Sequence, residues 1–340
     1  MIENTVFNSE ELIDVVNKNY NIKVFQVEKI NRGSANIYSL NEKKYILKEF
    51  QLKYSRKEIE REIAIINHLN KKNIAVPEYI RTIQGEYYFT YKDRIIIMQK
   101  FIDGYTMESN TGNYNQMIES AEKLGQIIEA LKDLEVEIPM SDVSSWYSTE
   151  IINESIEKQT KLLSKISEGE YPQIYKDLLD KIKMLKYIRD NMEFSDMKKL
   201  TIMNTHGDYS VLQFIYKDEK INAIIDFVSA CKMPIVWEVI RSYSYIDSEV
   251  KDGRINLNNL VDYVRSFSKY VPLNKYDIKY MAYLYLIQLL SSTFGYKQYI
   301  NDNSNKSLLE FAFFRTKLCR NLYDNAENIS NALKNGLRNE

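Results

Sequence analysis

The chain has 340 residues, of which 44% are hydrophobic and 27% charged, with 10 glycines and 5 prolines. That composition belongs to an ordinary folded protein long enough for two lobes, and it excludes a chain dominated by disorder. The 46 Lys and Arg against 47 Asp and Glu leave a formal net charge of −1, without the concentrated basic surplus of a nucleic-acid binder, so nucleic acid is not an expected partner.

Ser9-Glu10-Glu11 opens a periodic segment reaching about Tyr20, a first helix with Ser9 as its expected N-cap. Residues 24–30 and 37–40 read as strands on either side of a loop at 31–36, and residues 44–50 as a third strand. Residues 56–70 then carry Ile59, Ile63, Ile66 and Leu69 on one stripe, the pattern of an amphipathic helix. Strands at 87–91 and 94–99 follow, joined at Lys92-Asp93 as a hairpin. Beyond Ile102-Asp103-Gly104 the character changes: 115–134, 145–167, 173–191, 256–270, 277–299 and 307–335 all read as helices, interrupted by a strand-rich island at 200–228. The expected class is α+β, with a small antiparallel-sheet lobe at 1–101 and a larger helical lobe at 102–340.

The two cysteines, Cys231 and Cys319, form no CxxC pair, and the two histidines, His68 and His206, lie far apart. Neither a structural zinc nor a disulfide framework is expected, which points to a reducing compartment. The start of the chain has no signal-peptide pattern, and the most apolar run, at 282–294, is too short to span a bilayer. The expected location is the cytoplasm, with no membrane partner.

The island carries the chemistry. Residues 200–203 form an apolar strand that delivers Asn204-Thr205-His206-Gly207-Asp208 into a loop; 211–216 continue as a strand, Lys217-Asp218-Glu219-Lys220 turns, and 221–228 return. A hairpin centred between Asp218 and Glu219 sets Asp226 opposite Val211, roughly 10 Å of strand from Asp208. Asp208, Asp226 and the amide of Gln213 then gather in one small volume, a donor set suited to a hard cation such as Mg2+ with a carboxylate left to accept a proton. Taken singly, Asp208 also reads as a turn cap and Asp226 as a strand end. Yet Asp226 sits within Ala223-Ile224-Ile225-Asp226-Phe227-Val228, where a buried carboxylate is costly unless it meets a partner or a metal.

His206-Gly207-Asp208, Gln213 and Ile225-Asp226-Phe227 resemble the catalytic signature of the aminoglycoside phosphotransferase/choline kinase superfamily: His-Gly-Asp, four residues, Asn, then Ile-Asp-Phe or Ile-Asp-Trp. Met233-Pro234-Ile235-Val236-Trp237-Glu238 is similar to the Pro-x-x-x-Asp segment of the same superfamily, especially its homoserine-kinase-like branch. The resemblance covers roughly residues 24–245 and implies a protein-kinase-like two-lobe fold. It implies transfer of the γ-phosphoryl group of ATP or GTP, with Mg2+, to a hydroxyl of a small molecule of the amino alcohol, homoserine, choline, aminoglycoside or macrolide class. Position by position it assigns Asp208 as the base, Asp226 and Gln213 as metal ligands, and His206 as a structural residue of the loop. Gln213 departs from the usual Asn, offering the same ligand type on a side chain one methylene longer.

Such an enzyme needs a lysine for the phosphates and an acid to hold it. Lys48 shares a strand face with Ile46 and Phe50. Glu62, on a helix similar to the superfamily's Glu-x-x-x-Leu-x-x-Leu helix, is its expected partner; Glu58, one turn earlier, is the alternative, and an ordinary edge-strand lysine is the plain reading. Gly33-Ser34-Ala35-Asn36 resembles the phosphate-covering loop, which nominates Ser34 as a nucleotide contact. Residues 98–104 fall at the hinge position, with Gln99 and Phe101 expected near the adenine. The rival function is a kinase-shaped binding or structural protein, of which the spore-coat proteins that resemble this superfamily are one form.

Overall fold

The alternating apolar positions of the first hundred residues close into a sheet in the computed structural model, which describes residues 3–30, 35–141 and 146–337. Strands β1 (Val27–Ile30), β2 (Asn36–Leu40), β3 (Tyr45–Glu49), β4 (Tyr88–Tyr91) and β5 (Arg94–Lys100) are antiparallel throughout and lie in the order β1-β2-β3-β5-β4. One face packs on α1 (Ser9–Asn19), whose Leu12 and Val16 bury with Tyr38, Leu40, Leu47, Ile96 and Met98. The N-cap of α1 is Asn8, not Ser9: the Asn8 carboxamide accepts the Glu11 N–H at 2.8 Å. Helix α2 (Arg56–Lys71) starts on a capping box between Ser55 and Glu58 and buries Ile59, Ile63, Ile66 and Leu69, the stripe expected of it. The β4–β5 hairpin turns through Lys92 (φ 44°) and Asp93 (φ 62°), both left-handed as a type I′ turn requires.

The chain divides into two compact units. The first consists of Met1–Thr106, Asp133–Ile138 and Gln213–Ala230; the second of Met107–Lys132, Pro139–Leu212 and Cys231–Glu340. The chain therefore crosses between units several times, in addition to the crossing near the expected boundary at 101/102. The hairpin of β7 (Phe214–Lys217) and β8 (Lys220–Ile224) belongs to the first unit because Tyr105 and Tyr216 exchange both backbone hydrogen bonds, at 2.8 and 2.7 Å. The Ile224 N–H also donates to the Ala75 carbonyl at 3.0 Å. This close approach requires a glycine at 104: φ is +145°, and a Cβ there would stand 2.2 Å from the Tyr216 carbonyl oxygen.

The island differs from expectation in detail. Val211–Gln213 is a 3-10 turn rather than strand, and the returning strand stops at Ile224. The register shifts between Ile215 and Tyr216, so Phe214 faces Ile224 and Ile215 faces Ala223. Asp226, expected opposite Val211, therefore falls outside the ladder, and the residue before it, Ile225, donates its N–H to the Gln213 carbonyl at 3.0 Å.

The second unit holds α3 (Tyr114–Ala130), α4 (Thr149–Leu163), α5 (Pro172–Asn191), α6 (Ile235–Ile246), α7 (Leu257–Ser268), α8 (Lys275–Ser291), α9 (Tyr296–Asn301) and α10 (Lys306–Gly336). A two-stranded ladder of β6 (Ile202–Thr205) and β9 (Cys231–Pro234) accompanies them. Helix α10 packs along α8 and α7, and α3 along α6 and α7. The single helix expected at 277–299 is broken: Ser292 is extended, Gly295 has φ 92°, and α9 begins after it. The freed carbonyls of Leu289, Leu290 and Ser292 are taken by Lys181 and Gln159, which makes the break stable. Among the described residues no helix is long and apolar enough to cross a membrane, and no disulfide joins Cys231 to Cys319.

Candidate active site

In the first unit, β3 and α2 bring Lys48 and Glu62 together. The Lys48 Nζ stands 3.6 Å from Glu62 Oε1 and 3.0 Å from Asp226 Oδ1, with the Phe50 ring 4.5 Å away. Glu58, the alternative partner, is engaged in the capping box of α2. Burial pulls the Lys48 ammonium down, but Glu62 and then Asp226 outweigh it and hold the lysine above its ordinary value, so it stays charged. Burial pushes the Glu62 carboxyl up, partly offset by Lys48. The buried Tyr79 hydroxyl, raised well above its ordinary value by burial and then by Glu62, closes the same cluster.

Asp226, two residues past the end of β8 and just before the 3-10 turn Phe227–Ser229, takes the left-handed conformation, at φ 69° and ψ 60°. That conformation is unfavourable for an aspartate and needs surrounding structure to impose it. Here the following 3-10 turn, Phe227–Ser229, packs against α2 and sets the carboxylate on Lys48. Two carboxylates around one ammonium leave an excess negative charge, and Asp226 is the more exposed of the two, at 25% against 1% for Glu62. The Gln213 backbone lies close by, its carbonyl accepting the Ile225 N–H at 3.0 Å, so the unit offers one carboxylate, Asp226, near a residue whose amide oxygen would be the second donor. Among the described residues no group of three or more His, Cys, Asp or Glu is assembled. This donor set fits Mg2+ as that ion is held in phosphotransfer sites, by one or two carboxylates with substrate phosphates and water completing the octahedron.

In the second unit, β6 delivers the His206-Gly207-Asp208 loop. His206 is fully buried, its ring meets Tyr209 edge-on at 5.8 Å, and its Nδ1 accepts the Asp208 N–H at 3.3 Å. Gly207 takes φ 82° between them. Tyr209 anchors the loop, donating its N–H to Glu238 at 3.0 Å and its hydroxyl to the Ser120 carbonyl at 2.8 Å. The Asp208 side chain is 41% exposed and bonds the Arg241 guanidinium at 2.5 Å; a second Arg241 nitrogen donates to the Tyr209 carbonyl at 3.0 Å. Burial pulls Arg241 down, but Asp208 and its other neighbours hold it above its ordinary value. Burial pushes the Glu238 carboxyl up, against the pull of His206, the Tyr209 N–H and Arg241.

Arg241 has no part in the signature motifs and was missed: it is the one residue of α6 that is not buried, and only once the burial of its neighbours is known does a lone guanidinium three positions after Glu238 demand an acceptor. Tyr79 carries no comparable signal among 27 tyrosines. Ser34 lies outside the described residues. Gln99 faces Ile46 across the β3–β5 ladder, and the Phe101 N–H donates to the Lys44 carbonyl at 2.9 Å, so the latter donor is already engaged within the unit.

Residues 26–261 match the phosphotransferase enzyme family. A sequence search of curated proteins returns no match. Among solved structures, the chain is similar to spectinomycin phosphotransferase APH(9)-Ia in complex with ADP and spectinomycin, at 15% identity and a TM-score of 0.64 over 95% of this chain and 99% of that one. Amicoumacin kinase hAmiN in complex with AMP-PNP, Ca2+ and Ami is similar at 15% identity and a TM-score of 0.60, over 92% of this chain and 94% of that one. The microcompartment-associated aminopropanol kinase is similar at 12% identity and a TM-score of 0.61, over 95% and 99%. At such identities the likeness establishes the fold, an α+β kinase-like fold with a small antiparallel sheet toward the N-terminus and helices toward the C-terminus. Because the family match spans more than half of the chain, the protein belongs to the phosphotransferase enzyme family and is a phosphotransferase for hydroxyl groups of small molecules.

Proposed function

We propose that this phosphotransferase moves the γ-phosphoryl group of ATP or GTP to a hydroxyl of a small metabolite or antibiotic. The observation that carries the reading is Lys48, held charged between Glu62 at 3.6 Å and Asp226 at 3.0 Å. Lys48 binds nucleotide phosphates, and Glu62 orients it. Asp208 accepts the proton of the acceptor hydroxyl as its oxygen bonds to phosphorus, the terminal phosphoanhydride bond breaks, and the nucleoside diphosphate leaves. Arg241 and the Tyr209 backbone hold the Asp208 carboxylate, and His206 serves as scaffold. Asp226 and Gln213 are the residues that would hold Mg2+, which when bound neutralises phosphate charge. Positioning and charge neutralisation supply the catalysis, since phosphoryl transfer leaves little covalent work to the protein. The same reading sets the protein in the cytoplasm, where nucleotide triphosphates are supplied.

Transfer from ATP and GTP to a panel of hydroxyl acceptors, wild type against Asp208→Asn, tests it. A loss of about 10²–10⁴-fold with unchanged nucleotide affinity is expected. A loss below about tenfold removes Asp208 as the base. If neither protein transfers phosphate while both bind nucleotide, a kinase-shaped binding protein replaces the enzyme, the reading that Gln213 in the usual Asn position favours.

A further inference from the structure

Asp208 bonds a guanidinium, Arg241, from which a run of aromatic rings leads to a second one. The Arg241 guanidinium that bonds it lies 5.3 Å from the Trp237 ring and 5.1 Å from the Tyr245 ring. Trp237 meets Trp146 edge-on at 5.6 Å, while Tyr245 stacks on Phe311 at 5.9 Å. Phe311 meets the exposed Phe294 at 6.2 Å, and a second guanidinium, Arg315, lies 5.5 Å from the Phe311 ring. Both arginines act electrostatically on the Tyr285 hydroxyl, which bonds Ser244 at 3.1 Å. Among the described residues, Glu238 beside Arg241 is fully buried and bonded to the Tyr209 N–H, and on the Arg315 side buried Asp177, bonded to Arg320, acts on Lys181 and Cys319, as Arg315 does.

Arg315 is the informative member. Its side chain is 8% exposed, one terminal nitrogen donates to the Ser292 hydroxyl at 3.2 Å, and among the described residues its Nε has no hydrogen-bond partner and no carboxylate forms an ion pair with it. The carbonyl end of α8 favours a cation nearby. Lys181 already takes the Leu289 and Ser292 carbonyls there, at 3.0 and 2.7 Å, so the helix end does not account for both charges. A buried guanidinium with an unfilled donor calls for an anionic acceptor, the group that pairs best with its fork of N–H bonds.

We infer that the face formed by Trp237, Tyr245, Phe311, Arg241 and Arg315 binds the phosphoryl acceptor, and that this acceptor is an anionic alcohol, a hydroxyl compound bearing a carboxylate or phosphate group. The inference rests on the phosphotransfer reading for the role of Asp208. The rings cover the body of the acceptor, Arg315 takes its anion, and Arg241 is a positioning residue that orients Asp208 toward the hydroxyl. An ammonium-bearing acceptor meets two guanidinium groups that already occupy the ring faces a cation would use, which selects against it.

The chain has two tryptophans, Trp146 and Trp237, and both belong to this run, so intrinsic fluorescence of the full-length protein reports on it directly. It is titrated at fixed ionic strength with phenyllactate, with glycerol phosphate and with phenylalaninol, which separate carboxylate, phosphate and ammonium. At least one anion is expected to saturate, with affinity about tenfold or more above that of phenylalaninol, the worth of one charged hydrogen bond. Arg315→Met abolishes the preference, and Arg315→Lys, which keeps the charge, retains most of it. The inference is overturned if phenylalaninol binds as tightly as either anion, if neither anion saturates, or if Arg315→Met leaves the preference intact. Anion preference without phosphate transfer to any acceptor sinks the phosphotransfer reading alone; transfer to phenylalaninol that depends on Asp208 sinks this inference alone.

Discussion

Lys48 and Glu62 form a unit whose energetics and function separate by mutation. At 3.6 Å and an effective dielectric near 20, their attraction is about 4–5 kcal/mol. Against that stands a desolvation cost of several kcal/mol for each ion, so the net value of the pair is small although the loss of one partner is expensive. Glu62→Leu leaves Lys48 with Asp226 still 3.0 Å away and is expected to cost about 1–2 kcal/mol. Lys48→Met leaves Glu62, fully buried, and Asp226 without a cation, and is expected to cost about 2–4 kcal/mol. The double substitution removes both enclosed charges and should lie within about 1 kcal/mol of wild type, giving a coupling of about 3–6 kcal/mol. Urea unfolding at neutral pH measures the cycle, and nucleotide turnover accompanies it. All three variants should lose turnover while the double variant stays folded. Costs that add to within about 0.5 kcal/mol would falsify the coupled pair, and unchanged turnover in Lys48→Met would show that the lysine does not meet the nucleotide. The pH dependence has a definite sign. Because the Glu62 pKa is raised in the folded state, its ionised form is the unfavourable one, so the penalty in Lys48→Met shrinks as pH falls and Glu62 takes up a proton.

Burial pulls Lys181 down to about 8 from 10.5, so between those values the folded state holds fewer protons than the unfolded one and stability gains a rising contribution with pH. Lys181→Met should flatten the stability profile in that window, and an identical slope in urea titrations of both proteins would rule the effect out. Glu238→Gln keeps an acceptor for the Tyr209 N–H and removes an ionisation that burial disfavours, so its stability at neutral pH should equal or exceed wild type; Glu238→Ala, leaving that N–H unbonded, should cost about 1–3 kcal/mol by thermal or chemical unfolding. Gln213→Asn shortens the amide arm by one methylene and should shift the half-saturating Mg2+ concentration for turnover at least about threefold with folding unchanged, whereas an unmoved Mg2+ dependence removes Gln213 from the metal set. Gly104→Ala puts a methyl 2.2 Å from the Tyr216 carbonyl oxygen at φ +145° and should destabilise by about 2–4 kcal/mol; a loss under about 0.5 kcal/mol would mean the 103–106 segment shifts freely.

Legibility in the sequence followed the geometry of burial. Helix α2 and the β3 strand are half-buried elements, and half-burial writes a period into the sequence: the Ile59, Ile63, Ile66 and Leu69 stripe, and Lys48 on the face of Ile46 and Phe50. The Lys48–Glu62 contact could be anticipated because a charge on an apolar face needs a partner. Helix α6 gave no such warning, since a helix buried on nearly all sides has no polar stripe to mark its period. The register of Asp226 was misjudged because a bulge between Ile215 and Tyr216 leaves no mark in a short alternating strand. The break at Ser292 was missed because what stabilises it, the Lys181 and Gln159 side chains, comes from α5 and α4, more than a hundred residues earlier.

The two units solve the same electrostatic problem in the same way. In the first, a fully buried acid, Glu62, acts on a cation, Lys48, that bonds a more exposed acid, Asp226. In the second, fully buried Glu238 acts on Arg241, which bonds the more exposed Asp208. In both, the deep carboxylate has its pKa raised by burial, and the cation is held charged by its acids together, Glu62 and then Asp226 for Lys48, Asp208 ahead of Glu238 for Arg241. A shallow acid alone on a loop samples many rotamers, and a cation fixed from behind removes that freedom without covering the outer face. Backbone strain supports the assignment for Asp226, which is forced into the left-handed region at φ 69°. Folding stability alone gives no reason to bury two carboxylates and to constrain two further aspartates, because apolar residues of similar volume in such positions are as stable or more so. Their cost is accounted for if the two shallow aspartates are the groups that meet substrate and the deep acids exist to aim them.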